Sequence, residues 1–79
     1  MKKIVIYSQT TCPPCYQAKA WLQDQDIPFI SYEVDKDPEA FQRFLALGVL
    51  STPVFVIGEK IITGFNSHKI KRAWKAYSY

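Results

Sequence analysis

The sequence predicts a small α/β domain of order β-α-β-α-β-β-α, a four-stranded mixed sheet with helices on both faces. Three observations carry the prediction. Short runs of β-branched and aromatic residues recur along the chain. Apolar residues between those runs repeat at helical spacing, and the last two runs flank a two-residue turn that starts with glycine.

Ile4–Tyr7 is a continuous apolar run rich in β-branched residues, which suits a strand covered on both faces. Behind it Ala18, Trp21 and Leu22 recur at helical spacing, and residues 13–25 read as a helix. Ile27-Pro28 breaks that helix, and residues 29–34 form a second strand. Asp37-Pro38 has the form of an N-cap followed by proline at the first helical position. The helix it opens shows an apolar face of Phe41, Phe44 and Leu45, with Gly48 as its stop. Val54–Ile57 and Lys60–Thr63 are short strands around Gly58-Glu59, which puts glycine first as a type II′ turn requires. The last helix starts near Ser67 as N-cap and buries Ile70, Ala73, Trp74 and Tyr77 at i, i+3, i+4, i+7. A right-handed crossover makes the first two strands parallel, and the hairpin adds antiparallel partners.

Seventy-nine residues make one domain, 1–79, near the lower limit for a core without staples. No apolar run approaches the roughly 20 residues that span a bilayer. Lys2 and Lys3 imitate the start of a secretory signal, but the apolar run behind them is far shorter than the about 7–15 residues required. The expected location is therefore cytoplasmic, where a close cysteine pair points to redox catalysis or metal rather than a structural staple. The net charge of +3 is uneven: Asp24, Asp26, Glu33, Asp35, Asp37 and Glu39 gather in residues 20–40, and Lys60, Lys69, Lys71, Arg72 and Lys75 in 60–79. That basic end reads as a solvated helix face or a protein-docking surface, since no nucleic-acid motif accompanies it.

The chain has two cysteines, in Cys12-Pro13-Pro14-Cys15 at the end of the first strand. Dithiol exchange needs one exposed thiol that ionises readily and a second placed to resolve the mixed disulfide. Two intervening residues at a helix start supply that spacing. Cys12, at the helix N-terminus, is the expected nucleophile, favoured by the dipole. Cys15, about a turn further in, is the expected resolving thiol. Each proline deletes an N–H that would otherwise point at the Cys12 sulfur, so of the three residues after Cys12 only Cys15 keeps a donor. Fewer donors mean a less stabilised thiolate and a better reductant, with an expected potential below about −240 mV. Proline at 14 also disfavours the α region at 13, which allows the helix to begin at Pro14 instead of Pro13.

With "STPV" (51–54) before the third strand and "TGF" (63–65) after the fourth, the motif resembles the glutaredoxin family, the smallest form of the thioredoxin fold, over nearly the whole chain. The resemblance implies a thiol–disulfide oxidoreductase without a cofactor, monomeric, with a cis Thr52-Pro53 bond facing the disulfide. It also implies that Pro13, Pro14, Thr52, Pro53, Gly64 and Phe65 face the substrate. Two branches compete. Glutathione-using members usually carry Cys-Pro-Tyr-Cys and a Gly-Gly-x-Asp stretch whose acid grips glutathione. Here Pro14 replaces the tyrosine, Phe65 the second glycine, and His68 stands near the expected acid. The NrdH-redoxins, electron donors of ribonucleotide reductase recycled by thioredoxin reductase, resemble Thr63-Gly64-Phe65 more closely. This chain departs from them too, at Lys69 and in having two prolines between its cysteines.

Lys19 falls in the family's Cys-x-x-x-Lys position and is either a source of positive potential or an exposed helix lysine. Tyr16 reads as rim or ordinary surface, Phe65 as a docking residue or simple packing, and Trp21 and Trp74 as packing. Thr11 and Thr52 are expected to offer backbone groups to a substrate. Metal binding is the alternative from another class, but Cys12, Cys15 and His68 are one ligand short of a closed zinc site. An iron–sulfur cluster shared between subunits would have to open a loop that two prolines stiffen.

Overall fold

In the computed structural model, which describes residues 2–78, β1 (Ile4–Ser8) lies inside the sheet. Alternate side chains of a strand point to opposite faces. Ile4 and Ile6 therefore enter one core with Ala18, Leu22, Phe55 and Ile70, while Tyr7 enters another with Val34, Ala40, Phe44 and Val54. β2 (Phe29–Glu33) pairs with β1 in parallel, and β3 (Val54–Ile57) pairs with it antiparallel. β4 (Lys60–Thr63) closes the order β2-β1-β3-β4. α1 (Pro13–Asp24) and α3 (Ser67–Ser78) build the first core, and α2 (Pro38–Ala46) builds the second. This is the minimal thioredoxin fold. Among the described residues no helix is long and apolar enough to cross a membrane.

The helix ends explain themselves chemically. α1 begins at Pro13, with Cys12 as its extended N-cap. It stops because Asp26 adopts a left-handed φ of 55°, letting Asp26 N–H reach the Gln23 carbonyl (3.1 Å) and Ile27 N–H the Leu22 carbonyl (3.0 Å). Leu22 and Ile27 are both buried in the same core. α2 is capped by the Asp37 carboxylate, which accepts from the amides of Glu39 and Ala40. In the β3–β4 turn Gly58 has a φ of +62°, and an added Cβ would lie 2.7 Å from the Tyr77 ring.

Two details differ from the sequence reading. Phe41 and Leu45 are each 41% exposed, and the face of α2 that meets the sheet is Ala40 and Phe44. Phe44 stacks obliquely on Tyr7 (6.2 Å between rings), and the small Ala40 on the same face leaves room for close packing. The N-cap of α3 is Asn66, not Ser67: its side chain accepts from Lys69 N–H (3.1 Å), and Ser67 is the first helical residue.

α1 is tied to β2 by an ion pair. Lys19 Nζ lies 2.6 Å from Glu33 Oε1, with the two side chains 20% and 29% exposed. Ser31 Oγ also donates to this carboxylate (3.2 Å) and lies 3.2 Å from the fully buried Ser8 hydroxyl. Burial works to raise the Glu33 carboxyl, but the Lys19 ammonium and the Ser8 and Ser31 hydroxyls outweigh it and hold it below its ordinary 4.5.

Two predictions follow from these contacts. Asp26→Gly removes the left-handed cost at the helix stop and should stabilise the protein by about 0.5–1 kcal/mol in urea unfolding. No gain would mean that the aspartate already sits in that conformation without cost. Lys19→Met should cost about 1–2 kcal/mol near neutral pH, between the limits for exposed and buried pairs. Because the folded carboxyl of Glu33 is depressed, the pair's stabilisation is present above the unfolded value and lost as pH falls through the folded one. The difference between parent and Lys19→Met should therefore shrink in acid, and a difference that stays constant with pH would assign the loss to packing alone.

Candidate active site

β1 ends at Ser8, and the loop behind it is pinned before it reaches the cysteines. Thr10 donates its backbone N–H (3.2 Å) and its hydroxyl to the Asp35 carboxylate, just past the end of β2. The Thr10 hydroxyl, with smaller help from its amide, holds the Asp35 carboxyl below its ordinary range. From the other side the Tyr16 hydroxyl donates to the Thr10 carbonyl. Thr10, Asp35 and Glu33 were not legible as site-shaping residues, because their partners lie on other elements and follow no local spacing.

Cys12 follows with an extended backbone (φ −113°, ψ 100°), and its carbonyl accepts from Cys15 N–H (3.1 Å) and Tyr16 N–H (3.3 Å), which starts α1. Cys12 and Cys15 form a disulfide with their Cα atoms 5.2 Å apart. Cys15 is fully buried and Cys12 is 8% exposed, so of the two cysteines only Cys12 presents any surface to a partner. Pro13 and Pro14 are exposed at the rim.

The Cys15 amide, the one donor left among the three residues after Cys12, is thus bonded to the Cys12 carbonyl oxygen. The donor on the sulfur is a side chain instead. Thr52 Oγ donates to Cys12 Sγ at 3.5 Å, a role for the hydroxyl where the sequence suggests only backbone groups. Thr52 comes there because antiparallel pairing sets Val54 opposite Tyr7, so the start of β3 lies beside the end of β1.

The Thr52-Pro53 peptide is cis, and the Pro53 ring is buried. The Pro53 carbonyl accepts Gly64 N–H (2.9 Å), which ties the loop after β4 to the same end of the sheet. Gly64 has a φ of +78°, suited to glycine. Phe65 turns onto α1, where its half-buried ring meets Trp21 edge-on at 6.0 Å. Lys19 is engaged by Glu33, as described above. His68 is exposed on α3, and among the described residues no three His, Cys, Asp or Glu side chains converge as a metal site would need.

A close dithiol pair at a helix start, with the second cysteine fully buried and the first at the surface side, is built to make and break a disulfide. Known proteins agree with the geometry. The family model described as glutaredoxin matches residues 4–62. A glutaredoxin-like protein in the rubredoxin operon of Clostridium pasteurianum is 36% identical over 70 residues, covering 87% of this chain and 93% of that one. The glutaredoxin-like protein NrdH of Lactococcus lactis is 25% identical over 69 residues, covering 87% of this chain and 96% of its own. Among solved structures, the glutaredoxin-like NrdH-redoxin from Escherichia coli superimposes with a TM-score of 0.80 at 30% identity, covering 89% of this chain and 92% of its own. The chain belongs to the glutaredoxin family, and it is a dithiol redox protein with the thiol–disulfide oxidoreductase chemistry of that family.

Proposed function

We propose that this protein is a dithiol electron donor of the NrdH-redoxin type, reducing protein disulfides in the cytoplasm and recycled by thioredoxin reductase. Ribonucleotide reductase is the candidate client. In the reducing direction the Cys12 thiolate attacks a client disulfide. A bond forms between Cys12 Sγ and one client sulfur, the client S–S bond breaks, and one client thiolate leaves. The Cys15 thiolate then attacks Cys12 Sγ, closing the internal disulfide and releasing the second client thiolate. Two electrons pass to the client, the released thiolates take protons from water, and the reductase returns two electrons from NADPH.

The observation that carries the choice of branch is the start of α3. Where a glutathione-using member is expected to hold an acid, this helix has no acid in its first turn, and His68 and Lys69 are exposed there. The amino end of a γ-glutamyl group would meet the Lys69 ammonium there and no carboxylate. The similarity to relatives named NrdH, and to an E. coli protein described as having a thioredoxin-like activity profile, supports the same reading.

The test supplies oxidised protein with either thioredoxin reductase and NADPH, or glutathione, glutathione reductase and NADPH. Turnover with the first and not the second is expected. Preference for glutathione would return the chain to the glutathione-using branch. The dithiol route has its own check. Cys12→Ser should abolish reduction of a protein disulfide, and Cys15→Ser should accumulate a covalent client adduct visible by non-reducing electrophoresis. Full turnover by Cys15→Ser would replace the dithiol route with a monothiol one.

A further inference from the structure

On the dithiol reading, we infer that the Thr52 hydroxyl is the hydrogen-bond donor that stabilises the Cys12 thiolate, in place of the backbone amides that this loop withholds. The amides are accounted for one by one. Pro13 and Pro14 have none. Cys15 and Tyr16 N–H both bond the Cys12 carbonyl, at 3.1 and 3.3 Å. The nearest cation along the helix, Lys19, is held 2.6 Å from Glu33. Thr52 Oγ, 3.5 Å from Sγ, is the one donor to that sulfur among the described residues.

A threonine hydroxyl has a single proton to donate, and this one is aimed at the sulfur. A disulfide sulfur is a weak acceptor. The thiolate formed on reduction carries a full charge, and a hydrogen bond to an ionised acceptor is roughly twice as strong as a neutral one. The same O–H therefore stabilises the thiolate more than it stabilises the disulfide or the neutral thiol. Such a difference favours ionisation of Cys12 and favours the reduced form of the pair.

The hydroxyl is also well supported. Thr52 precedes a buried proline whose carbonyl is tied to Gly64, and Val54 is locked in register with Tyr7. It contacts the reacting sulfur directly and so counts as a catalytic residue.

The test compares Thr52→Val, close in shape but without the hydroxyl, with Thr52→Ser, which keeps it. Two quantities are read on reduced protein: the pH dependence of iodoacetamide alkylation of Cys12, and the equilibrium constant against a glutathione redox buffer. Thr52→Val should move the alkylation midpoint up by about one pH unit, a tenfold loss in ionisation expected for one charge-assisted bond. It should also shift the equilibrium toward the disulfide by up to about tenfold, equal to about 30 mV for a two-electron couple.

Thr52→Ser should restore both values to those of the parent. A Thr52→Val midpoint equal to the parent's, or a Thr52→Ser shift as large as that of valine, would overturn the assignment. A third measurement needs no variant: the Thr52 side-chain NMR resonances of reduced parent should titrate with the Cys12 midpoint, and resonances that stay still would also overturn it. Failure of the dithiol reading would show separately, as a parent that reduces no protein disulfide at all.

Discussion

The antiparallel register between β1 and β3 is the constraint on which the site depends. Setting Val54 opposite Tyr7 makes the end of one strand and the start of the other share one end of the sheet. Two loops separated by 40 positions then meet, and Thr52 reaches Cys12. A slip of one residue would turn Phe55 and Ile57 out of the core they share with Ile4 and Ile6, so burial enforces the register. The functional contact is held by the same packing that holds the fold. β4 joins the arrangement by antiparallel pairing with β3, and the bond from Gly64 N–H to the Pro53 carbonyl ties the loop behind it to the site.

Charges near the site are largely balanced before they reach the sulfur. Lys19 sits one helical turn from Cys15, yet its ammonium is committed to Glu33. Asp35 is committed to Thr10. Both pairs hold backbone in place: one ties α1 to β2, and the other fixes the loop two residues before Cys12. The sulfur therefore sees a helix N-terminus with few free amides and one hydroxyl. In such a sparse environment a single donor carries more weight than it would in a loop rich in amides.

Much of this was legible in the sequence for a physical reason. Strands covered on both faces must be continuously apolar, as Ile4–Tyr7 is. A dithiol must sit where a helix starts, and a two-residue turn needs a glycine like Gly58. The misreadings have a common cause. Phe41 and Leu45 looked like core because they are large, whereas the buried line runs through the small Ala40. Asn66 and Ser67 are equally able to cap α3, and only the position of the chain after Gly64 chooses between them. The partners Lys19–Glu33, Thr10–Asp35 and Thr52–Cys12 lie 14, 25 and 40 positions apart and depend on register between elements. Local spacing carries no information about such pairs.

The division of labour between the two loops bears on how the redox chemistry is tuned. An amide donor at the start of α1 is part of the helix, so removing it with proline also changes how the helix begins. A hydroxyl on the opposite loop is free of that coupling. Thr52 is half-buried and makes none of the backbone ladder bonds of β3, which starts at Val54. Its chemistry can change while the helix, the sheet and the packing of Cys15 stay as they are. The prolines of Cys12-Pro13-Pro14-Cys15 set a low supply of donors, and the side chain at 52 then decides how much of it is returned. Reactivity toward partners and the balance between dithiol and disulfide are thereby placed under a residue that the fold itself does not require to be threonine.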